Sequence, residues 1–472
     1  MPFARWKIAP AVLSLLAAAA AQTQNAPAQG VVVPVVACLD DAGQSYALYL
    51  PSHYSADRAW PIVYAFDPFA RGKAPVELYK DVAEKYGYIL VGSNNSKNGP
   101  TAPATAAAQA VWQDTHRRFS IDKNRVYTMG LSGGARFATS IALYCYTCSV
   151  TGVIAQGATY PVTKIEGGHD TFLYYATAGD TDFNLPEILQ LRRRKNDERG
   201  AQFRTKVYPG THQWAPPEVF EDAVEWLGIK AMQAGTEKAD PTFIGRVFDR
   251  TKEEAAGAEQ RGDTLTQFYA LRSLVSDFKG PAGISVVEYE SRLATIKNSK
   301  AFKDALHREQ RDIDLQASLT GTASSEITGL AMNEGQEQIR LRQNVDATMT
   351  DLRRRMKAGS GAERALYVRA FNHLFVQGME DGEEALRQDH QAQAAVYFEL
   401  MAGAAPDTAW PLLRLAATRV KIGNKKAALK ALEEAVKRGV KNPDSLTQDP
   451  DLQPLASEPE FQKLVEEMRA RK

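Results

Sequence analysis

Cysteine is scarce, with three in 472 residues, which excludes a small scaffold held together by disulfides. A cysteine-rich zinc site is excluded as well. Cys145 and Cys148 form one C-x-x-C, but no second pair or paired histidines lie near enough to complete about four ligands. Charge of one sign is equally missing. Lys and Arg number 57 against 56 Asp and Glu, a net charge of +1, which removes the basic footprint that binding to nucleic-acid phosphates requires. Long hydrophobic runs are absent too, since the stretch from Ile8 to Ala21 falls short of the roughly 20 residues that span a bilayer as a helix. No nucleic-acid partner, cofactor, metal or stable membrane span is expected.

What is present is ordinary globular material, 44% hydrophobic and 24% charged. At about 150 residues per domain the chain has room for roughly three units. Arg5 and Lys7 ahead of the Ile8–Ala21 stretch, and Ala19, Ala20 and Ala21 at its end, read as a signal peptide over 1–21. A periplasmic or secreted protein follows. Export permits one disulfide and one leftover thiol among Cys38, Cys145 and Cys148, with the pairing open.

From 31 to 233 apolar β-branched runs alternate with amphipathic stretches. VVVPVVAC and SYALYLP suit an antiparallel pair; PIVYAFDP, YILVGSNN, RVYTMGLS, VTGVIAQGA, TFLYYATAGD and FRTKVYP suit further strands, with helices between most of them. This predicts an α/β fold, a mostly parallel sheet with helices on both faces, whose site lies at the carboxyl ends of the strands. Beyond Gly235 the texture turns helical. The region 241–360 shows no repeat, whereas 361–472 carries a spacing of 34 between Ala394 and Ala428 and between Phe398 and Leu432. That pattern resembles the tetratricopeptide repeat, and the resemblance implies a concave surface able to hold a protein partner.

The sharpest local motif is Gly130-Leu131-Ser132-Gly133-Gly134, which follows an apolar strand and opens a helix. A strained strand-to-helix turn of this kind exposes a nucleophilic serine above a sheet edge. A serine hydroxyl needs a base, and in this chain order the acid precedes the histidine. After Ser132 the α/β region offers only His169 and His212. His212 follows the strand FRTKVYP and is the better placed. The loop AGDTDFN supplies Asp180 and Asp182; Asp182 is preferred as the acid, with Asp180 stabilising the turn. The backbone N–H of Gly133 is one expected oxyanion donor. With Pro68 lacking an N–H, Phe69 is the other. Asn94, Asn95 and Trp214 stand where they can line a substrate pocket.

On the YALYLP strand, Gly130–Gly134, Asp182 and His212, residues 40–230 resemble the α/β-hydrolase superfamily. Within it they are similar to secreted esterases related to polyhydroxybutyrate depolymerase, feruloyl esterase and dienelactone hydrolase. The resemblance implies hydrolysis of a small or medium carboxylic ester through an acyl-enzyme on Ser132. The chain departs from the pattern by Asp67-Pro68 where many relatives carry His-Gly, and by serine where dienelactone hydrolases carry cysteine. A peptidase on the same triad and a retired hydrolase acting as a scaffold through its helical repeats are the competing readings.

Overall fold

The computed structural model describes residues 27–160, 170–199, 202–279 and 284–470. Residues 1–21, read from the sequence as a signal peptide, and His169 lie outside the described residues. Eight strands form one sheet: β1 (Val32–Ala37), β2 (Ser45–Tyr49), β3 (Trp60–Phe66), β4 (Ile89–Ser93), β5 (Ile121–Leu131), β6 (Gly152–Gln156), β7 (Leu173–Gly179) and β8 (Phe203–Tyr208), in the order β1-β2-β4-β3-β5-β6-β7-β8. β1 and β2 are antiparallel, β2 runs antiparallel to β4, and every later pairing is parallel. Burial explains the sequence texture. β3 reads WPIVYAF and is buried throughout, as a central parallel strand must be, while β1 carries Pro34 at the sheet edge, where the missing donor costs no ladder bond.

The connections are α1 (Lys73–Tyr86), α2 (Thr101–Arg118), α3 (Gly133–Tyr144) and α4 (Leu185–Arg199), with α5 (Pro217–Gln233) closing the α/β region. Because successive strand residues face opposite ways, Tyr64 and Phe66 share one core with Val111, Ala138 and Ile188 of α2, α3 and α4. Val63 and Ala65 share the other with Val76, Tyr79, Phe220 and Trp226 of α1 and α5. The expected α/β sheet with helices on both faces is thus present. The open cysteine pairing resolves as Cys145–Cys148, just past α3, and Cys38 is a buried free thiol. Burial, with Asp114 adding to it, pushes that thiol up to about 11, so it stays protonated and unreactive at neutral pH.

The helices after α5 continue the first of two compact units. The division between the units falls at Arg308/Glu309. The first unit adds α6 (Pro241–Gln260), α7 (Thr264–Phe278) and α8 (Val287–Asn298). The reason lies in α5. Ile229 is buried against Ile244, Val247, Leu271 and Phe278, and Lys230 pairs with Asp277 at 2.7 Å with both groups buried. Glu225, fully buried, is met by Arg246 and Arg250 of α6. Burial opposes the charge on Asp222, yet Arg204, Lys206 and Arg250 outweigh it and hold the carboxyl below its usual range. A chain ending at Gln233 is therefore expected to melt at least about 5 °C below one ending at Arg308, because Ile229 alone loses about 1.5–3 kcal/mol of burial. Equal melting temperatures would show that α6 to α8 are dispensable.

The division falls within α9 (Lys300–Gly329). The second unit continues with α10 (Gly335–Ala358), α11 (Gly361–Arg387), α12 (Gln391–Ala404), α13 (Trp410–Lys421), α14 (Lys425–Lys437), α15 (Asp444–Thr447) and α16 (Pro459–Ala470). Its core gathers Ala394 and Phe398 with Ala428 and Leu432, the residues that carry the spacing of 34. The two hairpins differ in size, since α11 has 27 residues and α13 has 12. Among the described residues no helix is long and apolar enough to cross a membrane.

Candidate active site

Ser132 sits between the end of β5 and the start of α3 at φ 55°, ψ −125°. That conformation is costly for a residue with a side chain and persists only where the surroundings enforce it. The enforcing contacts are visible. Gly130 and Gly134 approach so closely that a methyl on Gly130 would collide with the Gly134 backbone. The Ser132 N–H is donated out of the turn, to the Gln156 carbonyl at 2.8 Å. The hydroxyl is presented at the carboxyl end of the sheet beside β6. Ser132 Oγ has no hydrogen-bond partner among the described residues, so the structure does not close a bond from it to His212. Such bonds are often long without substrate and tighten on binding.

Asp182 and His212 are brought together directly, with His212 Nδ1 2.8 Å from Asp182 Oδ1. The carboxylate is 0% exposed and the imidazole side chain 19%. Oδ1 also accepts the Asn184 N–H at 2.8 Å, while buried Oδ2 has no hydrogen-bond partner. Burial, and then the charge of Asp182, push the nearby Tyr208 phenol up, which keeps it neutral. Asp180 takes the turn role: its Oδ1 accepts the Gly210 N–H at 3.0 Å, at the base of the loop carrying His212.

Gly157, one residue past β6, lies against this pair. A methyl there would lie 2.9 Å from Asp182 Oδ2 and 3.0 Å from His212 Nδ1, and its φ is +61°. Gly157→Ala is expected to lower kcat by about 10²-fold, the scale of a misplacement near 1 Å, together with a lower melting temperature. Unchanged turnover on any ester the wild type cleaves would show that the pair tolerates displacement.

Several residues the sequence did not single out organise the site. Gln156, the last residue of β6, binds the elbow through its carbonyl and the histidine loop through its side chain, which accepts the Ala215 N–H at 2.7 Å. Asp67, just after β3 and 1% exposed, accepts from Phe69 N at 2.8 Å, from Arg71 Nε at 3.0 Å and from Trp214 Nε1 at 2.9 Å. Position was the available signal for both, since Gln156 ends a central strand and Asp67 directly follows one.

These contacts show what the residues singled out from the sequence hold on to. The Phe69 N–H is not aimed at a substrate oxygen, because Asp67 Oδ1 holds it. Trp214 is tied by its indole N–H to Asp67 and packs edge-on to Tyr79 at 6.2 Å, so it braces two loops instead of offering a platform. Asn94 and Asn95 serve the hairpin of β1 and β2: Asn94 Nδ2 donates to Pro34 O and Ser45 Oγ, and Asn95 bridges Ser45 N and Gly43 O. Gly133 keeps its expected place at the first turn of α3. Among the described residues no cluster of His, Cys, Asp or Glu is arranged to hold a metal ion.

A half-buried serine at a strained elbow and an imidazole oriented by a buried carboxylate, both at the end of β6, are groups suited to acyl transfer. The sheet and elbow together define the α/β-hydrolase architecture. Solved structures similar to this chain include fluorophosphonate-binding serine hydrolase F of Staphylococcus aureus, at 12% identity and TM-score 0.32, covering 39% of this chain and 92% of that one. A putative dienelactone hydrolase from Klebsiella pneumoniae matches at 16% identity and TM-score 0.31, covering 39% and 90%. Esterase 2 of Thermogutta terrifontis matches at 12% and 0.34, covering 44% and 96%. No protein-family model and no curated protein matches the chain.

Proposed function

We propose that this chain is an exported serine hydrolase that cleaves small or medium carboxylic esters through an acyl-enzyme on Ser132. The observation that carries this reading is the 2.8 Å contact of His212 Nδ1 with buried Asp182, converging with the Ser132 elbow on the end of β6. His212 Nε2 takes the proton from Ser132 Oγ as the oxygen attacks the ester carbonyl. Asp182 holds the tautomer and stabilises the imidazolium, and the Gly133 N–H faces the developing oxyanion at the positive end of α3. The proton then passes to the leaving alcohol. Water repeats the sequence to release the acid and restore the serine. The Cys145–Cys148 disulfide suits an oxidising compartment.

The test is a panel of p-nitrophenyl esters of graded acyl length, with feruloyl esters, run beside fluorophosphonate labelling and peptide mapping. Hydrolysis of at least one ester and a label on Ser132 are expected. A protein inert to the whole panel and unlabelled at Ser132 is not a serine esterase, and the scaffold reading replaces this one.

A further inference from the structure

An oxyanion is best held by two donors aimed at one point. Gly133 N–H supplies one, and residues 68 to 71 of the loop after β3 have no second to give. Pro68 has no N–H; Phe69 N donates to Asp67 Oδ1 at 2.8 Å, Ala70 N to Asp67 O at 3.1 Å, and Arg71 N to Asp67 Oδ1 at 3.4 Å. Every backbone donor from 68 to 71 is turned back on Asp67. The neighbouring segment against Gly133 then becomes the place to look for a second donor.

The loop between β4 and α2 brings one. Asn98 N donates to Pro68 O at 2.9 Å, and Phe69 and Lys97 form an isolated antiparallel bridge, so this segment is latched to the Asp67 loop through its backbone. The latch sets the Asn98 side chain against Gly133. A Cβ at position 133 would lie 2.7 Å from Asn98 Cγ and 2.8 Å from Nδ2 and would collide with Oδ1, so the amide fills the space of the missing side chain. Asn98 lines an open groove with Gly133, Gly134, Thr101 and Phe137. Its side-chain amide has no hydrogen-bond partner among the described residues.

We propose that Asn98 is a catalytic residue whose side-chain N–H donates the second hydrogen bond to the ester carbonyl oxygen, beside the Gly133 N–H. The inference rests on the ester-hydrolase reading of Ser132. It also explains why position 133 is glycine: any side chain there displaces the amide.

The experiment is steady-state kinetics of the full chain on the ester it cleaves best, comparing Asn98→Ala and Asn98→Asp with wild type. Asparagine and aspartate have the same shape, but an ionised aspartate only accepts. Both variants are expected to lose about 10²–10³ in kcat with KM changed less than about threefold. Thermal unfolding should hold, because Asn98 is exposed. Wild-type kcat in Asn98→Ala, or a loss in Asn98→Ala that Asn98→Asp restores, overturns the donor role and leaves the esterase reading standing. A wild type that cleaves no ester and takes no label at Ser132 removes both.

Discussion

Replacing Ser132 by alanine is expected to lower kcat on p-nitrophenyl butyrate by about 10⁶-fold, the scale of losing the nucleophile in a serine hydrolase. Labelling by fluorophosphonate should vanish with it. The structure separates this chemical loss from a folding defect. Ser132 holds φ 55°, a conformation that alanine tolerates no better than serine and that glycine adopts freely. Ser132→Ala should therefore unfold near the wild-type temperature, whereas Ser132→Gly, equally inactive, should be more stable by about 1 kcal/mol. Retained turnover in Ser132→Ala would mean that the hydroxyl is not the nucleophile. A glycine variant less stable than alanine would mean that the elbow is not strained.

Asp182→Asn is expected to cost about 10⁴ in kcat, because an amide presents the imidazole with the wrong tautomer while keeping the shape of the carboxyl. Asp180→Asn should cost less than about tenfold. Its Oδ1 accepts the Gly210 N–H at 3.0 Å, a bond the asparagine oxygen can still accept. The contrast rests on His212 Nδ1 lying 2.8 Å from Asp182 Oδ1. A larger loss in Asp180→Asn than in Asp182→Asn, measured side by side on one ester, would reassign the acid.

The parts of this architecture legible in the sequence are those whose physics is local. Buried runs such as WPIVYAF announce central strands, and the glycines around Ser132 announce a turn that only small residues allow. Chain order then placed Asp182 and His212 in loops after neighbouring strands, and β7 pairs with β8 so that those loops adjoin. What escaped the sequence depends on partners far apart along the chain. Asn94, Asn95 and Asn98 stand within one short segment, yet the first two turn to the hairpin and only the third reaches Gly133. Nothing in SNNSKNG distinguishes them, because the distinction is made by the Asp67 loop against which Asn98 is latched. The packing around α5 likewise depends on partners distant in the chain. Composition changes there, but the buried faces of α5, carrying Ile229, Lys230 and Glu225, are completed by α6 and α7.

Gln156 gives the site a shared origin. Its carbonyl fixes the serine turn and its side chain fixes the loop bearing the histidine, both at the tip of one buried strand. A displacement of that tip is passed to the Ser132 turn and to the His212 loop together, so the two are coupled through one residue rather than anchored independently.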